Sequence, residues 1–581
     1  MARKHGASRR RVARCLSAGA MIGIGCLMSA CERGGPLQAD VARAPAGPSR
    51  LLNPLCTSTG TPHASDSVST SVTWQASGNP HQVTGTVALL PGGFLTLEAG
   101  TVVCFAPGTG VRSTGGRLVT RGEGAAPVVL TAYDPAQGWD GVELQGTPTN
   151  PSMLIHARVE YVSLNSIAVV STGHRVNIDT SVIRQSGAAV SLAGRSSWFE
   201  ASRVDTTTNR YAPAITLGDS GRFVRSVILG AAGTGLLVDG TAGVRVTGGR
   251  IEASGGVGIV APHETGINSP SPVRVVGGLS YPIETTAALL ERLYGSTAAE
   301  QDSLKGNARD TVIMLGGTLQ APLHVRAGLP WHVKAPITVL AGGVLNGRGG
   351  SLLVLDTAVY IATASGGRVQ LRGAPGDPVV LTADDPARGW RGIDLTSTAA
   401  LTSYITSAVV EHVADSYHAV DDFGVHRVRL DSVVLRQNGS AVRLTASGSR
   451  LIRSRVDTTL TQFFPAVELG ADAVLESTLV RGASGVGVAI DSDSVQVVSC
   501  EVRGSAGFGI LLYEPAPVHN CNLVDNLQDG VWNVDFTTTA DATNNWWGDA
   551  GGPFGPNGDG VSIAVNYTPW RTTPYVLPYV P

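Results

Sequence analysis

The sequence predicts an all-β protein: a right-handed parallel β-helix, a solenoid in which two duplicated units form one rod. Three observations carry that expectation. A short unit recurs every 21–23 residues, a long one recurs after 251 or 252, and helical periodicity is confined to one brief stretch.

The long repeat is legible residue by residue. Pro127 to Trp139 reads PVVLTAYDPAQGW, and Pro378 to Trp390 reads PVVLTADDPARGW. Ser202 to Thr207 returns as Ser454 to Thr459, and Ile183 to Gly187 pairs with Leu435 to Gly439. The duplicated units are placed at 65–310 and 311–575, the second ending in a cap.

Each copy carries a shorter period; in the second, Ser432, Ser454, Ser477, Cys500, Cys521 and Asn544 each open a short strand-like run. A second alternating run follows, as in Ala441–Leu444, Ala466–Leu469, Gly487–Ile490 and Gly509–Leu512. Short alternating runs between Gly, Ser, Asn and Asp are strands and turns. One such coil cannot hide its own inner face, so coils must stack. About twenty coils spaced by about 4.8 Å make a rod roughly 100 Å long. Leucine-rich repeats have a similar period, but their leucine and asparagine pattern is missing. The composition agrees: 43% of residues are hydrophobic while only 5% are aromatic, which suits short strands with small apolar side chains.

One stretch departs from the pattern. Thr285 to Tyr294 has helical spacing behind a threonine cap, and is expected as a short helix or an outward loop where the copies meet.

The N-terminus reads as an address. Residues 1–30 hold six of the 43 Lys and Arg and none of the 45 Asp and Glu, so the remainder carries −8. A basic segment, a short apolar stretch and small residues form a signal peptide over 1–30. Leu27-Met28-Ser29-Ala30-Cys31 resembles the bacterial lipobox, which implies lipid attachment at Cys31. Arg9 and Arg10 also give a weak likeness to a twin-arginine signal. Glu32, where aspartate would favour the inner membrane, implies an outer-membrane anchor, at the periplasmic face or the cell surface. Residues 31–64, rich in Pro, Ala and Gly, read as a flexible tether. The acidic balance argues against a nucleic-acid partner, and Lys305 and Lys334 are the two lysines after Cys31.

Outside the cytoplasm disulfides persist. Cys56 and Cys104 lie near the start of the folded part, where a bridge would pin the tether. Cys500 and Cys521 occupy equivalent places in adjacent coils; parallel stacking hinders the disulfide dihedral, which favours a reduced, buried pair.

Leu95 to Cys104, Gly115 to Gly122 and Pro127 to Trp139 resemble the opening coils of the pectate-lyase-like β-helix superfamily. Asn544 to Gly548, Gly551 to Pro553 and Tyr567 to Trp570 resemble its C-terminal cap, with Trp546, Trp547 and Trp570 covering the open end. The resemblance spans nearly the whole chain after Cys31. It implies a fold but not a function, because the superfamily mixes lyases, hydrolases, adhesins and surface proteins. Calcium is a cofactor its lyases would imply.

Chemistry on such a rod requires charged residues on the outer face of adjacent coils. Alternation assigns Ser191, Thr216, Leu237 and Val260 outward in the first copy, and Arg443, Glu468, Ala489, Leu511 and Trp532 in the second. No carboxylate cluster follows from this assignment, and Arg443 with Glu468 reads as a surface ion pair. His412, His418, Asp421, Asp422 and His426 remain as candidates. The aspartates are the candidate acid and base, the histidines the candidate metal ligands. Asp384, Asp385 and Asp134 read as turn residues; Asp491 and Asp493 lie in a turn where calcium is conceivable. The expected function is a non-catalytic envelope scaffold presenting a surface to glycan or protein. A polysaccharide-active lyase or hydrolase is the alternative, and envelope metal binding a weaker one.

Overall fold

A computed structural model describes residues 52–577, apart from 148, 264–266, 268–272, 295–302 and 397–400. The expected signal peptide, Cys31 and the expected tether up to residue 51 lie outside the described residues.

The described chain is a parallel β-helix. Every pairing between its strands is parallel, each strand bonding to its counterpart one coil away. One face is continuous along the rod: a ladder of twenty strands from Ser67–Val68 to Asn522–Val524. The other two faces change where the copies meet. In the first copy they join into a 16-stranded sheet, because Arg222–Leu229 and Arg245–Glu252 run across both. In the second they are separate ladders of ten strands, Gly317–Leu319 to Val531–Asn533, and nine strands, Pro322–Val325 to Val518–His519.

The two copies make the same bonds at matched positions. The indole of Trp139 donates to the Glu160 carbonyl at 2.9 Å, and that of Trp390 donates to the Glu411 carbonyl at 2.9 Å. His174 meets the Ser152 hydroxyl at 2.8 Å, as His426 meets Ser403 at 2.8 Å. Yet the copies are offset by one face. Val128–Ala132 belongs to a side face of the first copy, while its counterpart Val379–Ala383 belongs to the continuous ladder. The two outward columns expected from the sequence therefore lie on different faces. Ser191, Thr216, Leu237 and Val260 continue into Glu284, Ile313, His332 and Val354. Arg443 and Glu468 belong to the ten-stranded face.

Each coil turns one corner on a left-handed residue followed by an inward side chain. Arg453 has φ 48°, Ser499 57° and Asn520 56°, and the next residues are Ser454, Cys500 and Cys521. The inward oxygen or sulfur accepts a backbone N–H from the coil before: Val433 N–H to Ser454 Oγ at 3.1 Å, Ala157 N–H to Ser181 Oγ at 3.0 Å, Cys500 N–H to Cys521 Sγ at 3.3 Å. This column corrects the expected register at three places. Ser432, Ser477 and Asn544 occupy the left-handed corner, and Val433, Thr478 and Asn545 face inward in their stead. Serine and asparagine tolerate either place, so their spacing alone did not separate them.

Cys500 and Cys521 are buried free thiols. Cys56 and Cys104 form a disulfide with Cα atoms 5.8 Å apart. Residues 52–63, read from sequence as the end of the tether, belong to the folded rod. The Asn53 amide donates to Thr131 Oγ1 at 2.7 Å and to the Ala132 carbonyl at 3.2 Å, and Thr61–His63 pairs with His81–Val83.

The interrupting segment is a helix, Ala287–Tyr294, with Leu289, Leu290 and Leu293 buried. It packs beside Gly317–Leu319 and Pro322–Val325, the first strands of the two new faces. Glu291 accepts the His324 backbone N–H at 3.1 Å and meets its ring nitrogen at 2.8 Å, occupying donors an edge strand would leave open. At the far end Trp547 is fully buried, Trp546 bridges to Asn522, and the Trp570 ring lies against Gly552. A β-carbon there would sit 2.8 Å from that ring, so residue 552 has to be glycine.

Candidate functional site

Alternation along the ten-stranded face buries Ile393, Val420, Val442, Leu444, Val467 and Leu469 and turns the residues between them outward. Register then stacks Asp394 on Asp421, Asp421 on Arg443, and Arg443 on Glu468. This charged column corrects the expectation that the face carries no carboxylate cluster. The sequence assignment began at Arg443 and so omitted the two coils before it.

Arg443 forks onto Asp421, with Nε to Oδ1 at 2.9 Å and Nη2 to Oδ2 at 2.5 Å. The expected pairing with Glu468 gives way to this geometry. Burial pushes the Asp394 carboxyl above its ordinary range, and the Asp421 charge adds to the shift. The Glu468 carboxyl is pushed up by burial and then by the charge of Asp491, with which it shares a hydrogen bond. Two carboxyls whose pKa burial raises thus flank one ion pair.

A groove of about 500 Å³ opens over this column. Its walls include Tyr360, Arg391, Tyr417, His418 and Phe464. The Arg391 guanidinium lies 5.0 Å from the Tyr360 ring and 4.7 Å from the Tyr417 ring, which fixes it by cation–π contact. His418 is 8% exposed, packs 5.1 Å from Phe464, and is pushed by burial down to about 4, so it is neutral near pH 7. Among the described residues, His418 Nε2 and Asp394 Oδ1 have no hydrogen-bond partner. Buried polar atoms are nearly always paired, and these two lie where water or a polar ligand in the groove would reach them. A second hollow of about 490 Å³ adjoins it across Ser416 and Phe464.

The five sequence candidates are not brought together. His418 and Asp421 share the groove. Asp422 turns inward at the corner, where Oδ1 accepts the N–H groups of Thr445 at 2.5 Å and Ala446 at 3.2 Å, and burial pushes its carboxyl up to about 7. His412 sits at another corner, its Nδ1 3.1 Å from Thr382 Oγ1. His426 bonds Ser403 beside the nine-stranded face. Adjacent residues of a strand point to opposite faces, so nearness in sequence separated these groups in space. Among the described residues, the ring nitrogens of the three histidines do not come together as one set of ligands.

Among the described residues one cluster has ligand atoms close enough to hold a metal: His332, Asp356 and Asp384. His332 Nε2 lies 2.6 Å from Asp356 and 3.6 Å from Asp384. The Lys334 ammonium stands 3.0 Å from His332 and 3.3 Å from Asp356, where a cation would bind. An ammonium already neutralises the cluster, which argues against a metal there. Sequence reasoning missed His332 and Asp356 because they sit on separate coils. Asp385 and Asp134 make the same turn, accepting N–H bonds from Ala387 at 3.1 Å and Ala136 at 3.0 Å. Asp491 is committed to Glu468, and Asp493 is exposed.

The first copy does not repeat the charged column. The positions matching Asp394, Asp421, Arg443 and Glu468 are Glu143, Val170, Ser191 and Thr216. The charged groove belongs to one copy.

No family model matches the chain, and no curated protein matches it. Among solved structures, one similar chain is a PL6 family alginate lyase, AlyGC, in an arginine-to-alanine mutant form. It has 10% identity over 87% of this chain and 96% of that one, with a TM-score of 0.13. A superposition that loose transfers no site.

Proposed function

We propose that this chain is a cell-envelope lipoprotein, attached to the outer membrane through Cys31, whose rigid rod presents the Asp394–Asp421–Arg443 groove to a glycan. The signal-like N-terminus and its lipobox support the anchor. One observation carries the binding role: two buried polar atoms without partners, Asp394 Oδ1 and His418 Nε2, lie beside ordered tyrosine and arginine in the second copy, whereas the first keeps Val170 and Ser191 at the positions of Asp421 and Arg443. Sugars offer hydroxyls to such donors and acceptors and apolar ring faces to aromatic walls. A glycan array probed with the full chain and with Arg443→Ala tests this. The expected result is a glycan signal in the wild type that falls more than tenfold in the variant. Equal signals from both proteins, or no signal from either, would sink the reading.

A second reading, hydrolysis, is favoured by the adjacent Asp394 and Asp421. Burial raises the Asp394 carboxyl, and two carboxyls side by side are the groups that general acid–base hydrolysis uses. Reducing-end release from a panel of neutral and uronate polysaccharides, with and without calcium, separates the two. Turnover abolished by Asp421→Asn and by Asp394→Asn would replace the scaffold reading with an enzyme.

A further inference from the structure

We propose that the groove is one end of a linear track for an uncharged, extended glycan, and that Trp532 is its far subsite. The inference rests on the glycan reading above and narrows the ligand class.

The column that begins at Asp394 does not stop at Glu468. Register continues it through Ala489 and Leu511 to Trp532, all on one face. Trp532 is half-buried, stacked on Phe508 at 5.1 Å and met edge-on by Phe536 at 6.1 Å. Its ring is thus held in place rather than free to collapse. Four coil steps separate Arg443 from Trp532, about 19 Å at the spacing of stacked strands. One coil advances nearly as far as one sugar unit of an extended chain. A straight oligosaccharide of about four units therefore reaches from the ion pair to the indole with its rings in step with the coils. Between them lie Ala489, buried at 4% exposure, and half-buried Leu511, so the stretch is apolar.

Charge settles the class. Arg443 is neutralised by Asp421, and among the described residues lining the groove Arg391 is the one further cation beside the carboxylates Asp394, Glu468 and Asp491. A polyuronate would lay a row of carboxylates along this acidic path and meet repulsion. A neutral chain would not.

Calorimetry on the full chain tests the proposal, with β-1,4-linked glucose, mannose, xylose and N-acetylglucosamine as dimers and hexamers, and with hexagalacturonate. At least one neutral hexamer is expected to bind ten times more tightly than its dimer, and hexagalacturonate more weakly than that hexamer. Trp532→Ala is expected to erase the hexamer's advantage while dimer affinity stays within twofold; Trp532→Phe is expected to preserve the advantage. Tighter binding of hexagalacturonate, or a hexamer advantage untouched in Trp532→Ala, overturns the track and leaves the glycan groove standing. No binding of any sugar, neutral or acidic, overturns both.

Discussion

Arg443 and Asp421, twenty-two residues apart in sequence, are joined by two parallel hydrogen bonds across adjacent coils. The pair is partly open to solvent, with 29% and 20% of the two side chains exposed. Its contribution to stability is therefore modest, about 1 kcal/mol. A double-mutant cycle of Arg443→Ala and Asp421→Asn is expected to give a coupling near that figure in thermal unfolding. A coupling above about 3 kcal/mol would mean that the pair holds the fold rather than a ligand.

Asp422 and His418 give opposite pH dependences. The Asp422 carboxyl is raised to about 7 from 3.8. The folded protein therefore binds its proton more tightly, and stability falls as pH rises from about 4 to about 7. His418 is lowered to about 4 from 6.5, so stability is lost as pH falls through that interval. The two trends partly cancel in the wild type. Asp422→Asn keeps an oxygen for the Thr445 and Ala446 N–H groups and is expected to stabilise the protein at pH 8, by at most about 4 kcal/mol. That variant should retain the acid-side loss. His418→Gln should retain the alkaline one. Denaturant midpoints measured from pH 4 to 8 check both signs.

Cys521 contributes an acceptor, not a bridge. Its sulfur accepts the Cys500 N–H at 3.3 Å, the role that Ser454 plays for Val433. Cys521→Ser is expected to change stability by less than about 1 kcal/mol, whereas Cys521→Val leaves a buried donor unpaired and costs about 1–3 kcal/mol. Urea unfolding of the two variants distinguishes them. Equal losses would contradict the ladder.

Trp139 and Trp390 are matched residues in unmatched surroundings. Both are fully buried and donate the same bond, but Trp139 stacks on Phe105 at 4.0 Å, where the second copy has Leu355. Truncation to alanine is expected to cost about 3–5 kcal/mol at either site, with Trp139 the more costly by about 0.5–1.5 kcal/mol. Unfolding free energies of the single variants measure the difference.

The repeats make the architecture readable in the sequence itself. Pro127–Trp139 and Pro378–Trp390 announce the duplication, and alternation in Ala441–Leu444 gives strand and inner face together. The one-face offset was hidden because it arises at the junction, where the helix Ala287–Tyr294 replaces a coil and no local pattern records rotation. The groove was half visible. Arg443 and Glu468 were placed outward correctly, but their neighbours Asp394 and Asp421 come from coils whose strands are two and four residues long, too short to show a period. The His/Asp run near 412–426 misled for the converse reason: closeness along a strand or around a corner puts alternate side chains on opposite sides. His332, Asp356 and Asp384 met only through stacking.

The most direct test of the groove is hydrogen–deuterium exchange on the full chain, with and without a saturating neutral hexamer. Protection is expected in 391–395, 416–422 and 440–445, with a lesser effect at 531–533. Protection centred instead on the first copy, or on 332–334 and 354–356, would contradict the account.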